Sequence, residues 1–296
     1  MKKDNLLIDE FLVKRLIASQ FPEWRDLSIS PVQHQGWDNR TFHLGKQLLV
    51  RLPSDNDYTL QVEKERQWLP KLAPFLPLSI PAPLAMGQPA EEYPWKWSVY
   101  AYLPGEAANN APIANLTEFA INLGEFLVAL QSIDTTYGPL PGLHSFYRGG
   151  ELSIYDAETR QAIDTLKHKL DVKIITDIWQ TALASKWARK PVWVHGDISL
   201  GNLLVQDGKL TAVIDFGQLT VGDPACDLAI AWTFFKDENR EAFRSVLALD
   251  KDTWARGRGW ALWKALITAA GQSNSNAIEA KEPWRIIDEI VKEFLS

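Results

Sequence analysis

Three oxygen-bearing side chains fall within one stretch of the 296-residue chain, VWVHGDISLGNLLVQDGKLTAVIDFG, residues 192–217. Val192 to Val194 read as a short strand that delivers His195, Gly196 and Asp197 into a loop. The runs LLV and LTAVI then flank Asp207-Gly208, the strongest short signal for a hairpin. A two-residue turn centred there pairs Val205 with Leu210, Leu203 with Ala212 and Asn202 with Val213. Side chains two apart share a face of a strand, so Asn202 and Asp215 are expected to project from one face at the open end of the hairpin, where Asp197 enters. Phosphoryl transfer needs such a set. One carboxylate orients the attacking hydroxyl and accepts its proton, while an amide oxygen and a second carboxylate hold magnesium on the phosphates.

The order HGDxxxxN, a strand pair, then DFG resembles the catalytic and metal loops of the protein-kinase-like fold, with the same interval from aspartate to asparagine. HGD in place of HRD is similar to the form found in aminoglycoside phosphotransferases and their relatives. The resemblance implies Asp197 as the catalytic aspartate, Asn202 and Asp215 as ligands of Mg2+, and ATP or GTP as the donor. His-Gly-Asp alone is a common turn and Asp-Phe-Gly alone can end any strand; their interval, with a hairpin between them, carries the likeness. His195 reads as a packed scaffold residue. Downstream, GDPACDLAIAWTFF places Asp223 as a helix N-cap with Pro224 at the first helical position, and Asp223 and Asp227 read as structural. Only residues 217–222 separate the metal loop from that helix, too few for the peptide-docking segment of a protein kinase.

The same resemblance sets QGWDNRTFHLG in the place of the phosphate-covering loop, with Gly36 for tight backbone geometry and Asn39 and Thr41 within reach of phosphate oxygens. Arg51, in QLLVRLPS, stands where most such kinases carry lysine, and its carboxylate partner from the following helix is Glu65, with Glu63 as the alternative. Residues 100–105 correspond to the hinge, where backbone groups of Ala101 and Leu103 meet the base. Tyr100 stands at the gate of the base pocket. A ring facing the cleft favours GTP, whereas a ring turned beside Val99 merely closes the sheet.

These residues require elements to position them. Residues 9–19 have the spacing of an amphipathic helix, with Phe11, Leu12, Leu16 and Ile17 on its apolar face. From about residue 27 to 52, SISPVQ, TFHLG and QLLVRL read as strands of a small sheet. A helix is expected over 59–72, then a proline-rich stretch, then the strand WSVYAYLPG, broken by Pro104 and Gly105. Thr117 reads as the N-cap of a helix whose Phe119, Leu123, Phe126, Leu127 and Leu130 form one core stripe. GPLPGLHSFYRGG is a loop, and the remainder to Ser296 is mainly helical apart from 191–215. The expectation is a two-lobed α+β protein-kinase-like fold. Residues 1–104 form a small antiparallel-sheet N-lobe and 105–296 a mainly helical C-lobe, with the nucleotide in the cleft between.

Composition narrows the partners. With 46% apolar residues the chain can bury a substantial core. A formal net charge of -6 argues against nucleic acid or an anionic membrane. Cys226 is the single cysteine, which excludes an intramolecular disulfide and a cysteine metal cage. The N-terminus is interrupted by Asp9, Glu10, Lys14 and Arg15 and does not read as a signal peptide, so a cytoplasmic enzyme is expected. The acceptor implied first is an aminoglycoside, a polycation that calls for carboxylates, offered by Asp156, Glu158, Asp237, Glu238, Asp288, Glu289 and Glu293. A kinase for a macrolide, choline, a sugar or homoserine is the alternative. A nucleotide-binding module without activity is a third reading, favoured only by Arg51.

Overall fold

A five-stranded antiparallel sheet is built from β1 (Ile29–Pro31), β2 (Asn39–Leu44), β3 (Leu48–Pro53), β4 (Pro83–Gly87) and β5 (Trp97–Ala101), in the order β1-β2-β3-β5-β4. The computed structural model describes residues 6–33, 35–36, 38–272 and 282–296. The sheet belongs to a unit comprising Met1–Gly105 and Thr211–Gly217. Strand periodicity divides its side chains cleanly. Phe42, Leu44, Val50, Leu52, Trp97 and Val99 are buried together with Leu12, Val13, Leu16 and Ile17 of the helix α1 (Glu10–Gln20), which Asp9 caps by accepting the Leu12 N–H. Phe11, expected on that apolar face, is 74% exposed; Val13 packs into the core in its place.

The opposite face is polar. The register sets Thr41 opposite Arg51 and Arg51 opposite Ser98, and Tyr100 follows Ser98 two residues on, so these side chains share one face. The helix α2 (Thr59–Leu72) covers that face, with Gln61, Lys64 and Glu65 buried. Strand β4 begins at Pro83, the last proline of the proline-rich stretch, where no strand is expected from sequence. That proline starts an edge strand, where a missing N–H costs no ladder bond. Gly87 of β4 has no room for a side chain, since a Cβ there would lie 1.9 Å from the Trp97 ring.

The second unit comprises Glu106–Leu210 and Gln218–Ser296. Its helices are α3 (Leu116–Ser132), α4 (Asp156–Leu166), α5 (Val172–Leu183), α6 (Ile230–Thr233), α7 (Asp237–Val246), α8 (Lys251–Ala269) and α9 (Pro283–Leu295). Residues 273–281, included in the helical expectation, lie outside the described residues, as do residues 1–5. Phe119, Leu123, Phe126, Leu127 and Leu130 of α3 are all buried. Its N-cap is Asn115, which accepts the Glu118 N–H at 3.1 Å. Thr117 lies inside the helix and donates its hydroxyl to Asn239 instead. Helix α8 packs against α4, α5 and α9. Short strands complete the unit: β6 (Glu106–Ala107) pairs with β8 (Leu203–Gln206), and β7 (Val192–Val194) with β10 (Thr220–Gly222). Asp207 and Gly208 take φ of 52° and 77°, as a two-residue hairpin turn requires, and lead into β9 (Lys209–Val213).

The chain is therefore an α+β protein with a small antiparallel sheet and a larger helical part. Among the described residues no helix is long and apolar enough to cross a membrane.

Candidate active site

In the first unit, Arg51 is the centre of a charged cluster. Its Nη2 meets Asp215 Oδ1 at 3.0 Å and its Nη1 lies 3.5 Å from Glu65 Oε2. Burial alone would pull the guanidinium down, but the carboxylates of Glu65 and Asp215 together hold it well above its ordinary range. Burial pushes Glu65 up, and Arg51 opposes that shift. The Tyr100 hydroxyl donates to the same Glu65 oxygen, and its ring lies 5.7 Å from the Arg51 guanidinium. Tyr100 is 3% exposed and lies on the polar face, so it neither closes the core beside Val99 nor stands free. Asp215 itself has φ of 65°, a left-handed conformation that aspartate tolerates better than most residues.

A second cation sits beside this cluster. Lys64, adjacent to Glu65 on α2, is 8% exposed and donates from Nζ to the Gly217 carbonyl at 2.6 Å. Burial pulls its ammonium down to about 8, against the raising effect of Glu65 and Asp215. Sequence reasoning missed it because Lys-Glu on an amphipathic helix normally reads as solvated surface.

The loop before β2 is stapled by its own side chains. Gln35 accepts the Thr41 N–H and donates to the Thr41 carbonyl, both at 2.8 Å, while Arg40 donates to the Gly36 carbonyl at 2.9 Å. Trp37, within the expected phosphate-covering loop, lies outside the described residues. Asn39 is buried and turned to Gln61, which in turn donates to Asp38 at 3.1 Å. Asn39 lines a recess with Arg51, Gln61, Glu65, Ser98 and Tyr100. At the expected hinge, the Ala101 N–H is taken by the Ala82 carbonyl at 3.0 Å. The Leu103 N–H makes no hydrogen bond among the described residues.

In the second unit, the loop after β7 is fixed from beneath. Asp227, 1% exposed, accepts the N–H groups of His195 and Gly196 at 2.8 and 2.7 Å, and burial pushes its carboxyl up. Buried His195 accepts the Asp197 N–H on Nδ1 at 3.1 Å, as a scaffold residue does. Gly196 takes φ of 89°, and a Cβ there would lie 2.8 Å from the Gln218 carbonyl. Asn202 donates its amide N–H to both the Asp197 carbonyl and the Asp197 Oδ2 at 2.9 Å. The amide nitrogen of Asn202 is thereby spent on Asp197, leaving its oxygen as the acceptor. Asp223 caps the next turn through Ala225 and forms a buried pair with Arg256 at 2.7 Å.

The structure thus gathers Arg51, Glu65, Tyr100 and Asp215 in one cluster, and Asp197 with Asn202 in another. Several acids expected to receive a cationic acceptor are engaged internally. Asp156 holds Arg160 and the Trp179 indole, Glu158 the Trp263 indole, Glu289 Arg240, and Glu293 Arg240, Arg244, Arg258 and Trp232. Asp237, Glu238 and Asp288 remain exposed.

Residues 28–260 match the model of the phosphotransferase enzyme family, APH, and the chain belongs to that family. A segment of 50 residues is 42% identical to an aminoglycoside 3'-phosphotransferase of Escherichia coli, spanning 17% of this chain and 18% of that protein. The solved GDP and kanamycin complex of APH(2")-IIIa superposes with a TM-score of 0.71 at 16% identity, over 95% of this chain and 98% of that one. The apoenzyme of macrolide 2'-phosphotransferase MphH from Brachybacterium faecium gives 0.60 at 19% identity, over 95% and 98%. At these identities the likeness to the solved structures is one of fold.

Proposed function

We propose that this chain is a small-molecule kinase that transfers the γ-phosphoryl group of ATP or GTP to a hydroxyl of an aminoglycoside-like, hydroxyl-rich acceptor. The observation that carries this reading is the Asn202–Asp197 bond on a loop clamped by Asp227. A half-exposed carboxylate oriented by the Asn202 amide is what a proton-accepting aspartate needs. Asp197 would align the acceptor hydroxyl and take its proton as the oxygen attacks phosphorus. Arg51 would neutralise phosphate charge from a position fixed by Glu65 and Tyr100. Thr41 and Gly36 belong to the loop that would cover the phosphates, and the Leu103 N–H would receive the base.

Each unit offers oxygens of the kind magnesium takes. In the second, Asn202 would give an amide oxygen; in the first, Asp215 uses one carboxylate oxygen on Arg51 and would give the other. Magnesium takes one or two protein oxygens plus phosphates and water, not a cage of carboxylates, and no such cage occurs among the described residues. Bound there, the ion would offset phosphate charge during transfer.

The relatives' names make kanamycin-type aminoglycosides the first acceptors to test and macrolides the second. Acceptor-stimulated release of ADP or GDP from the purified chain, with Asp197→Ala as the control, tests the reading. Equal nucleotide turnover in both proteins with every acceptor would refute it. On the same reading the chain acts in the cytoplasm, with residues 1–104 as the nucleotide-covering lobe.

A further inference from the structure

Arg148 sits on three aromatic faces. Its guanidinium carbon lies 4.8 Å from the Trp263 ring, 5.0 Å from Trp260 and 5.8 Å from Tyr155. The rings brace one another, with centroids of Tyr155 and Trp263 4.0 Å apart and Trp260 and Trp263 5.6 Å apart at 85°. Buried or half-buried arginines elsewhere in this unit, Arg240, Arg244, Arg256 and Arg258, each meet a carboxylate. Arg148 meets none among the described residues, and its guanidinium's one hydrogen bond there is a long 3.4 Å contact to the Tyr155 hydroxyl. Glu158 accepts the Trp263 indole N–H at 2.5 Å and makes no ion pair with Arg148 among the described residues. Stacking engages the face of a guanidinium and leaves its N–H edge unspent.

The position of Arg148 gives this cation a meaning. A Cβ built on Gly196, the neighbour of Asp197, would stand 3.1 Å from the Arg148 Cβ. The segment carrying Arg148 is locked to the same scaffold: the Gly149 carbonyl accepts the Asp223 N–H at 2.7 Å, and a Cβ on Gly222 would lie 2.1 Å from that carbonyl. Phe146 and Tyr147 just before it hold φ of 46° and 54°, a strained geometry for aromatic residues that fixes where the arginine emerges.

We propose that Arg148 is the receptor for an anionic group of the acceptor, a carboxylate or a phosphate, so that the acceptor is a hydroxylated small-molecule acid. The proposal rests on the kinase reading above and departs from its aminoglycoside-like acceptor, setting an acidic one in its place. A guanidinium held among aromatic rings, with no carboxylate partner among the described residues, offers the planar fork that carboxylates and phosphates share. Anchoring that anion near Gly196 would bring a hydroxyl of the same molecule to Asp197.

The test uses the full chain with matched acceptors: glycerate against glycerol, pantothenate against panthenol, glucose 1-phosphate against glucose, and kanamycin as a polycation. Acceptor-stimulated nucleotide turnover is read alongside calorimetric titration with each acid and with inorganic phosphate. We expect one acidic member to exceed its neutral partner at least about tenfold in kcat/KM, a 1.4 kcal/mol preference. Arg148→Gln should remove that preference through KM, with nucleotide binding unchanged. Arg148→Lys, which keeps charge and stacking but not the fork, should fall between, and near-ultraviolet circular dichroism verifies that the tryptophan box persists. The carboxylate and phosphate pairs distinguish the two anion sources. Efficient turnover of kanamycin or a neutral acceptor with KM unchanged in Arg148→Gln would overturn the proposal and leave the kinase reading intact. Failure of every acid and of phosphate to show Arg148-dependent binding would also overturn it. Turnover indifferent to Asp197→Ala would instead overturn the kinase reading.

Discussion

The hydroxyl of Tyr100 donates to the carboxylate of Glu65, on the same oxygen that faces Arg51. A tyrosine at the end of β5 is thereby tied to the helix α2, and its ring serves as a wall of the charged cluster. Glu65 is buried with its other oxygen unpartnered, so this one bond supplies much of what holds the carboxylate. Tyr100→Phe is expected to lower stability by about 1–2 kcal/mol and to raise the KM for nucleotide, leaving the ratio of GTP to ATP use near the wild type because the ring's bulk is kept. Tyr100→Ala should shift that ratio toward ATP. Denaturant unfolding and kcat/KM for both nucleotides decide the matter; an unchanged ratio in the alanine variant would mean that the ring has no part in base selection.

Asp197→Asn keeps the size of the side chain and loses the proton acceptor. Phosphoryl transfer should fall by about 10²–10⁴-fold, with nucleotide affinity within a few-fold of wild type. Asp215→Ala should do the reverse in binding, abolishing the magnesium dependence of nucleotide affinity and leaving Arg51 with Glu65 alone of its two carboxylates. Equilibrium titration with and without magnesium separates the two.

Asp227 never needs to touch substrate to matter. Asp227→Asn puts an amide group against one of two backbone N–H donors that require an acceptor. A loss of about 3 kcal/mol is expected from the orphaned donor and the broken charge-assisted bond. Transfer should drop as well, since the loop bearing Asp197 loosens, and the fall should appear in kcat more than in nucleotide KM. A variant as stable as wild type would show that water replaces the carboxylate.

Lys64 predicts an unusual alkaline behaviour. In the unfolded chain it keeps its proton to about 10.5, and in the folded one to about 8. Below the lower value both states carry the charge, and the fold bears the whole burial penalty. Between the two values the unfolded state binds more protons, so stability rises with pH, by about 3 kcal/mol in all. Wild type should gain on Lys64→Met across that window in paired unfolding experiments. A constant difference would show that the ammonium is not penalised by burial.

Local patterns carried much of this structure. The helix α2 is bounded at Thr59 and Leu72 as its apolar spacing indicates, and the Asp207-Gly208 turn forms where its residue types demand. Errors fell where two signals competed. Asn115 and Thr117 are both capping types, and only the backbone decides which precedes the first turn. Prolines hid β4 because an edge strand tolerates what a central one does not. Contacts distant in sequence were beyond reach: the Arg148 box draws on residues 155, 260 and 263, and the Lys64 bond ends on Gly217. Arg51 and Glu65 could be matched because a strand followed by a helix returns the chain to itself within a few turns.

Thr211–Gly217 belongs with Met1–Gly105, although Glu106–Leu210 of the other unit intervenes. The polypeptide therefore cannot be dissected at Gly105 without harm. A fragment ending there would carry Arg51 with no Asp215 and Lys64 with no Gly217 carbonyl, taking one acceptor from each of two buried cations. Gene fusions or chimaeras that exchange only the N-terminal third would mismatch that seven-residue insert with its host. Recombination between relatives should succeed only where both pieces travel together, which makes this short segment a covert part of the first unit's inheritance.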